Sequence, residues 1–387
     1  MTDAPIATTA ELAELADRLM TVERVALDLE GDGLFRYRSR LCTLQLKLDD
    51  EVVLVDTLAA WDPALMAAPL GPGGPLKVIH DAAFDARLLL AHGVQLGNVF
   101  DTALAARYLA APATGLSALV LAHCGVEIDK GKQQADWGRR PLQEADIAYL
   151  RGDVEYLFPL HDALSASLSE TGIEAQYAAE LGYMLEQAQL PPRGPSEPWM
   201  RIKGHRELSR SQRAVLREVA RVREEEARRA DVPLFRIMHD RVLLSVAQQC
   251  PRSRGAIKRI RGAANGRAAG VVADMLQAIE RGLEGGEVPE VETTEAYPPA
   301  PSSAERGEKK RRQKALTTWR RTVAEARKVD PQVVLPGHCL QDIAGMAPTE
   351  LSQLTQIAGL GDVRIARDGE AMLRALSGAA PDASDAG

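Results

Sequence analysis

Apolar residues enter this chain in short blocks before they settle into helical spacing. Residues 24–29 (Arg-Val-Ala-Leu-Asp-Leu) are an apolar run with one embedded acid, which predicts a buried strand. The segments 41–48 (LCTLQLKL) and 51–55 (EVVLV) predict two more strands, and the Asp49-Asp50 pair between them predicts a hairpin. Residues 77–80 and 97–100 predict two further short strands. Helical spacing holds over about 84–91, over 102–110, and over most of 115–190. Strands first, then strands alternating with helices, predict a mixed α/β sheet covered by helices.

Beyond residue 190 the pattern changes. The segment 190–198 (LPPRGPSEP) carries four prolines and is expected to end the first domain. A second Pro-rich, acidic stretch at 285–305 reads as a linker. Between and beyond them the chain is expected to be helical, with Leu208, Val215, Val219 and Val222 recurring among arginines. A shift of 97 residues brings Val246-Ala247 onto Ile343-Ala344, Pro251 onto Pro348, and Ile260 with Gly262 onto Ile357 with Gly359; Asp231 matches Asp330 after a two-residue slip. Agreement at apolar and turn positions predicts a duplicated helical module. The expected boundaries are 1–190, 205–285, a linker at 286–309, and 310–378.

Charge sharpens this division. The 387 residues carry a net charge of −7, but residues 1–190 hold 14 Lys/Arg against 28 Asp/Glu, leaving 33 against 26 in the remainder. Within 201–270 there are 18 Lys/Arg against 7 Asp/Glu. Arg252, Arg254, Lys258, Arg259 and Arg261 cluster there, and a second basic block follows at 306–314. Clustered cations of this kind fit sequence-independent phosphate contact, against the alternative of a solvated face. Backbone amides near Gly262 and Gly359 are further candidates if they precede helix N-termini. The four cysteines are scattered with no CxxC pair, which argues against a zinc site or disulfide framework and fits a reducing cytoplasm. The N-terminus has neither the basic start nor the apolar core of a signal peptide. The uncharged run 108–126 is broken by Pro112, Gly115 and His123, so no membrane span is expected.

The candidate chemistry is carried by acids. Asp28 and Glu30, two apart on a strand, point to one side while Leu27 and Leu29 point to the other. A solvent-facing polar side would give the same pattern, but two acids in so apolar a run are costly without a partner. Asp85 follows a short strand in HDAAFD, where helix capping is the competing role; Asp81 and Asp101 are assigned to capping. Tyr149 and Asp153, at i and i+4, share one face of a predicted helix.

In order, Asp-x-Glu, Phe-Asp and Tyr-x-x-x-Asp resemble the three motifs of the DEDD exonuclease superfamily in its tyrosine-bearing branch. The longer segments ALDLEGDG, VIHDAAFD and DWGRRPLQEADIAYLRGDVEYL are most similar to the ribonuclease D family. The second helical repeat, with TTWRRTVAEARKVDPQVVLPGHCLQDIA, resembles the helicase-and-RNase-D C-terminal (HRDC) domain more clearly than the first. The resemblance spans about residues 20–378, and its one departure is Asp81, where the family often has Asn.

That resemblance implies an RNase H-like α/β exonuclease domain followed by two all-α HRDC domains. It implies a 3′→5′ exoribonuclease using two divalent ions, Mg²⁺ or Mn²⁺. Asp28, Glu30 and Asp153 would hold the first ion; Asp28 would bridge to a second that Asp85 helps to place; Tyr149 would orient the attacking water. An all-oxygen ligand set suits such hard cations, and four clustered acids need them. Products would be nucleoside 5′-monophosphates, and substrates RNAs with single-stranded 3′ ends, notably tRNA precursors, degraded by a cytoplasmic monomer. Lys130, Trp137 and Arg140 match a family segment close to the active site and are candidate RNA contacts, with packing and ion pairing as the equal alternative. Arg252, Arg254, Lys258 and Arg259 are assigned to RNA binding, and Phe84 to the core. Competing readings are a DNA 3′→5′ exonuclease and a catalytically dead nucleic-acid-binding scaffold.

Overall fold

The computed structural model describes residues 4–129, 131–190, 197–285 and 301–378. All five sequence-predicted strands form one sheet: β1 (Arg24–Gly31), β2 (Leu41–Leu48), β3 (Glu51–Asp56), β4 (Leu76–Ile79) and β5 (Val99–Asp101), in the order β3-β2-β1-β4-β5. Pairing is antiparallel from β3 through β2 to β1 and parallel from β1 through β4 to β5. The antiparallel β2–β3 pair follows from the tight Asp49-Asp50 turn, whereas the parallel pairs need crossovers through helices.

Those crossovers supply the layers. Before the sheet, α1 (Thr9–Leu19) starts at a Thr8/Glu11 capping box and buries Leu12, Leu15, Ala16 and Leu19. Helices α2 (Pro63–Leu70), α3 (Ala82–Ala91), α4 (Thr102–Tyr108) and α5 (Leu116–Cys124) follow, then α6 (Glu144–Glu155), α7 (Leu157–Thr171) and α8 (Glu174–Gln189). β1 sits centrally and is buried from both sides. Val25, Leu27 and Leu29 pack into a core with α1 and α3, while Ala26 on the opposite face packs with residues of α4, α5 and α7. The second face is the one that also carries Asp28 and Glu30, because strand side chains alternate.

The chain forms two compact units that do not follow chain order. Among the described residues, one comprises 4–31, 41–129, 131–190 and 301–378; the other comprises 32–40 and 197–285. In the second unit, α9 (Arg210–Arg229), α10 (Leu234–Ile237), α11 (Asp240–Gln249), α12 (Arg254–Arg259) and α13 (Val272–Glu284) enclose a core that includes Val215, Val219, Val222 and Leu208. Segment 32–40 joins this unit through the backbone amide of Tyr37, which donates to Asp231 Oδ1 at 3.3 Å, and through a Tyr37 hydroxyl bond to Glu224.

Residues 301–378 repeat the plan with α14 (Ser303–Arg327), α15 (Pro331–Val334), α16 (Gly337–Met346), α17 (Leu351–Leu354) and α18 (Asp362–Ser377). The repeat is written into the backbone. Left-handed residues recur at the 97-residue shift: Asp231 with Lys328, Cys250 with Ala347, Gly262 with Gly359. The first pair corrects the expected match of Asp231 with Asp330, since Asp231 and Lys328 each lie at the end of the repeat's long first helix and need no slip. At Gly359 a Cβ would meet His338 Nε2 at 2.7 Å and Tyr183 Cγ at 2.8 Å, so the glycine permits close packing there.

This second repeat is tied to the sheet-bearing fold by one buried cation. Arg364 of α18, 1% exposed, donates from Nε to Val333 O (2.9 Å) and from Nη1 to Leu360 O (3.0 Å). Its Nη2 reaches the Tyr108 hydroxyl and Gln176 O, both at 3.1 Å. Beside it the Tyr183 and His338 rings stack at 3.7 Å. Among the described residues no helix is long and apolar enough to cross a membrane.

Candidate active site

Three elements bring the acids together. β1 presents Asp28 and Glu30 on one face, opposite the neutral cross-strand partners Gln45 and Thr43 of β2. A register shift between Glu30 and Gly31 ends the regular ladder just after the second acid. Helix α6 lies against β1 and β2; it starts at a Gln143/Asp146 capping box and places Tyr149 and Asp153 one turn apart on the same side. Helix α3 begins directly after β4 and carries Asp85 in its first turn.

Carboxylate oxygens of Asp28, Glu30 and Asp153 lie within 4.8 Å of one another. Asp85 and Tyr149, 3% and 8% exposed, line the same cleft of about 450 Å³. Burial, followed by the negative charge of Asp28 and Asp153, pushes Glu30 up to about 9. Asp28 is raised chiefly by burial, Asp153 by burial and then by Asp28. Asp85 is raised by burial and then by Asp28, Asp101, Asp81 and Glu30. The cause is common: acids partly removed from water and close to one another, with no cationic side chain of the described residues among the influences on them. An oxygen-only set of partly to fully buried acids in mutual repulsion fits a hard divalent cation, whose charge would lower every one of these values.

Other candidates fall elsewhere. Trp137 is 2% exposed and packs against Tyr149 at a ring-centroid distance of 5.6 Å. Arg140 forks onto Asp56, donating from Nε to Oδ2 and from Nη2 to Oδ1, both at 2.6 Å. It also donates to the backbone oxygens of Trp137, Arg139 and Cys42. Of the alternatives read from the sequence, the structure shows packing for Trp137 and ion pairing, with a loop clamp, for Arg140. Lys130 lies outside the described residues. Arg252, Arg254, Lys258 and Arg259 are exposed on and beside α12 of the second unit.

Phe84 corrects a second expectation. It is 49% exposed and lines the cleft, because the first turn of α3 points it away from the sheet. His80, Arg107 and Gln133 line the cleft too and were not among the sequence candidates. No local signal marks them; Arg107 reaches the site only because α4 packs beside α3's end of the sheet. Asp81 occupies the α3 N-cap in the left-handed region (φ 65°), and its side chain makes no capping bond, unlike the capping role expected for it. Asp, like Asn, tolerates that backbone better than most residues.

Comparison with known proteins agrees with this geometry. Residues 4–169 match the family model for a 3′-5′ exonuclease, and residues 212–279 and 309–376 each match the HRDC domain. Ribonuclease D of Gluconacetobacter diazotrophicus is 35% identical over 271 residues, covering 68% of this chain and 68% of that protein. The chain belongs to the ribonuclease D family. Ribonuclease D of Acidiphilium cryptum is 33% identical over 302 residues, covering 77% of this chain and 76% of the relative. The crystal structure of Escherichia coli ribonuclease D superposes with a TM-score of 0.73 at 23% identity, over 98% of this chain and 99% of that one, which establishes a shared fold. With the exonuclease domain and both HRDC repeats in place, this ribonuclease D family member is a hydrolytic 3′–5′ exoribonuclease, as its motifs implied.

Proposed function

We propose that this chain shortens RNA from single-stranded 3′ ends by a two-metal mechanism, releasing nucleoside 5′-monophosphates, and that tRNA precursors are among its substrates. The observation that carries this reading is the trio Asp28, Glu30 and Asp153 within 4.8 Å of one another, in the cleft that Asp85 and Tyr149 also line. Asp28, Glu30 and Asp153 would hold one divalent cation, and Asp28 with Asp85 a second, as Mg²⁺ or Mn²⁺. When bound, such cations supply the positive charge that activates water and offsets charge developing on the phosphate.

The chain's own residues do the rest. Tyr149, buried against Trp137, holds its hydroxyl beside the acids and orients the attacking water by hydrogen bonding. Burial and the nearby acids raise its pKa further, which favours this neutral role over that of a base. The half-exposed Phe84 ring offers a face to the terminal base, and Arg107 a charge to the backbone phosphates. The exposed cations around α12 add sequence-independent affinity in the first HRDC repeat (205–285), with the second at 310–378 and the exonuclease domain at 1–190. The chain works as a cytoplasmic monomer.

Matched RNA and DNA oligonucleotides, incubated with Mg²⁺, Mn²⁺ or EDTA, test the reading. Expected are stepwise loss from the RNA 3′ end, abolition by EDTA, and loss of hydrolysis with retained RNA binding in D28A and D153A. Preferential degradation of DNA, or full activity in either variant, would refute it.

A further inference from the structure

Asp101 is not among the residues that line the cleft. Asp101 ends β5 and is 1% exposed. Its carboxylate accepts four backbone N–H groups belonging to two helices. Oδ1 takes Ala103 at 2.9 Å and Leu104 at 3.1 Å, the first turn of α4, together with Asp81 at 3.1 Å. Oδ2 takes Ala82 at 2.9 Å, the first residue of α3. Asp81 is the residue held in the left-handed region without a capping bond of its own. So the N-terminus of α3 is capped from another strand, by an acid 19 residues further along the chain.

The surroundings keep that acid in place. β4 and β5 pair in parallel, with Ile79 opposite Asp101. The amide of Asp101 donates to the Tyr177 hydroxyl at 2.8 Å, and the Thr102 hydroxyl donates to Ile79 O at 3.2 Å. One carboxylate thus joins the ends of two neighbouring strands to the starts of both following helices. Phe84 and Asp85 lie in the turn of α3 that this junction begins.

We propose that Asp101 is a positioning residue of the metal site: by capping α3 across the β4–β5 pair it sets the placement of Asp85, and with it of Phe84. This rests on Asp85 serving the metal site, as proposed above. A carboxylate is required because its second oxygen must accept from α3 while the first caps α4. In D101N the amide retains one acceptor. Three donors converge on Oδ1 and one on Oδ2, so that acceptor stays with α4 and an NH₂ group faces the Ala82 N–H. The substitution therefore removes the bond to the first helical residue of α3, Ala82, while leaving the Asp81 bond and the α4 cap in place.

The test uses the full chain and measures Mg²⁺ binding by calorimetry alongside the Mg²⁺ dependence of RNA degradation. D101N is expected to keep its circular dichroism spectrum while its Mg²⁺ affinity and half-saturation shift by about tenfold or more, the usual effect of losing an outer support of a metal site. D62A removes the N-cap of α2, which does not line the cleft. It is expected to lower Tm without moving either Mg²⁺ curve. D101N curves superimposable on wild type, or shifted no more than those of D62A, overturn the proposal. If D101N does not fold, D101S keeps a single acceptor and replaces it. In the wild type, Mg²⁺ must also slow hydrogen exchange at the Ala82 amide, and unchanged exchange counts equally against the proposal. D85N separates the two layers: a shift in D85N without one in D101N defeats only the role of Asp101, whereas unaltered Mg²⁺ binding in D85N defeats the metal-site reading beneath it.

Discussion

Arg140 illustrates how far residue type alone can mislead. An arginine beside the active-site segment of a nuclease has the charge to meet phosphate, yet its fork is spent on Asp56 and three backbone oxygens. Burial would raise the Asp56 carboxyl, but the Arg140 hydrogen bond and charge outweigh it and hold it below its ordinary value. R140A is expected to cost about 1–3 kcal/mol of stability, because it strands a partly buried acid and several carbonyls. RNA affinity should not change, and a matching fall in affinity would restore the RNA-binding role. The pH dependence has a definite sign. A depressed folded pKa contributes stability that is fully present above the unfolded value of about 3.9 and is lost as pH falls through the folded one. The stability gap between wild type and R140A, followed by denaturant titration, should therefore close on acidification below about pH 4.

At the scale of elements, the strand and the helix that carry the trio needed no tertiary information. Alternation on β1 puts Asp28 and Glu30 on one face, and the i, i+4 step on α6 does the same for Tyr149 and Asp153. Helix α3 is different. Its pattern predicts the helix over 84–91, but its start at Ala82 is capped by Asp101, an acid assigned from sequence to helix capping with no helix specified. The short helix α12 offers a test of electrostatics. Arg254, Lys258 and Arg259, with Arg252 just before it, are exposed on six helical residues and their flank. Replacing all four with Ala should reduce the salt dependence of RNA binding by a log–log slope of about 0.7 for each phosphate that is no longer neutralised. Fluorescence anisotropy across a salt series measures it, and an unchanged slope removes α12 from the interface.

Over the whole molecule, the two HRDC repeats share a sequence pattern but not a role in the architecture. The second is part of the sheet-bearing unit, and the buried Arg364 is a main polar link in that association, beside the Tyr183–His338 stack. R364M would leave the Tyr108 hydroxyl and several buried carbonyls without a donor, each costing about 1–3 kcal/mol. Calorimetry should then resolve a separate, lower-temperature transition for residues 301–378. A single transition at the wild-type Tm would mean that apolar packing alone joins the two.

What the sequence determined by itself is whatever depends on neighbours along the chain. Strand alternation, helical spacing and the helical duplication belong here, and so do the five residues Asp28, Glu30, Asp85, Tyr149 and Asp153, whose order carried the family resemblance. Only the tertiary structure could decide matters set by residues far apart. Phe84 faces the cleft, Trp137 and Arg140 are occupied by protein, and Arg107 and His80 join the lining. Segment 32–40 packs with the second unit, and residues 301–378 return to the first. The physical reason is that exposure and hydrogen-bond partners are properties of the packed chain. An arginine or a phenylalanine reads the same in sequence whether its surface meets solvent, substrate or another part of the fold.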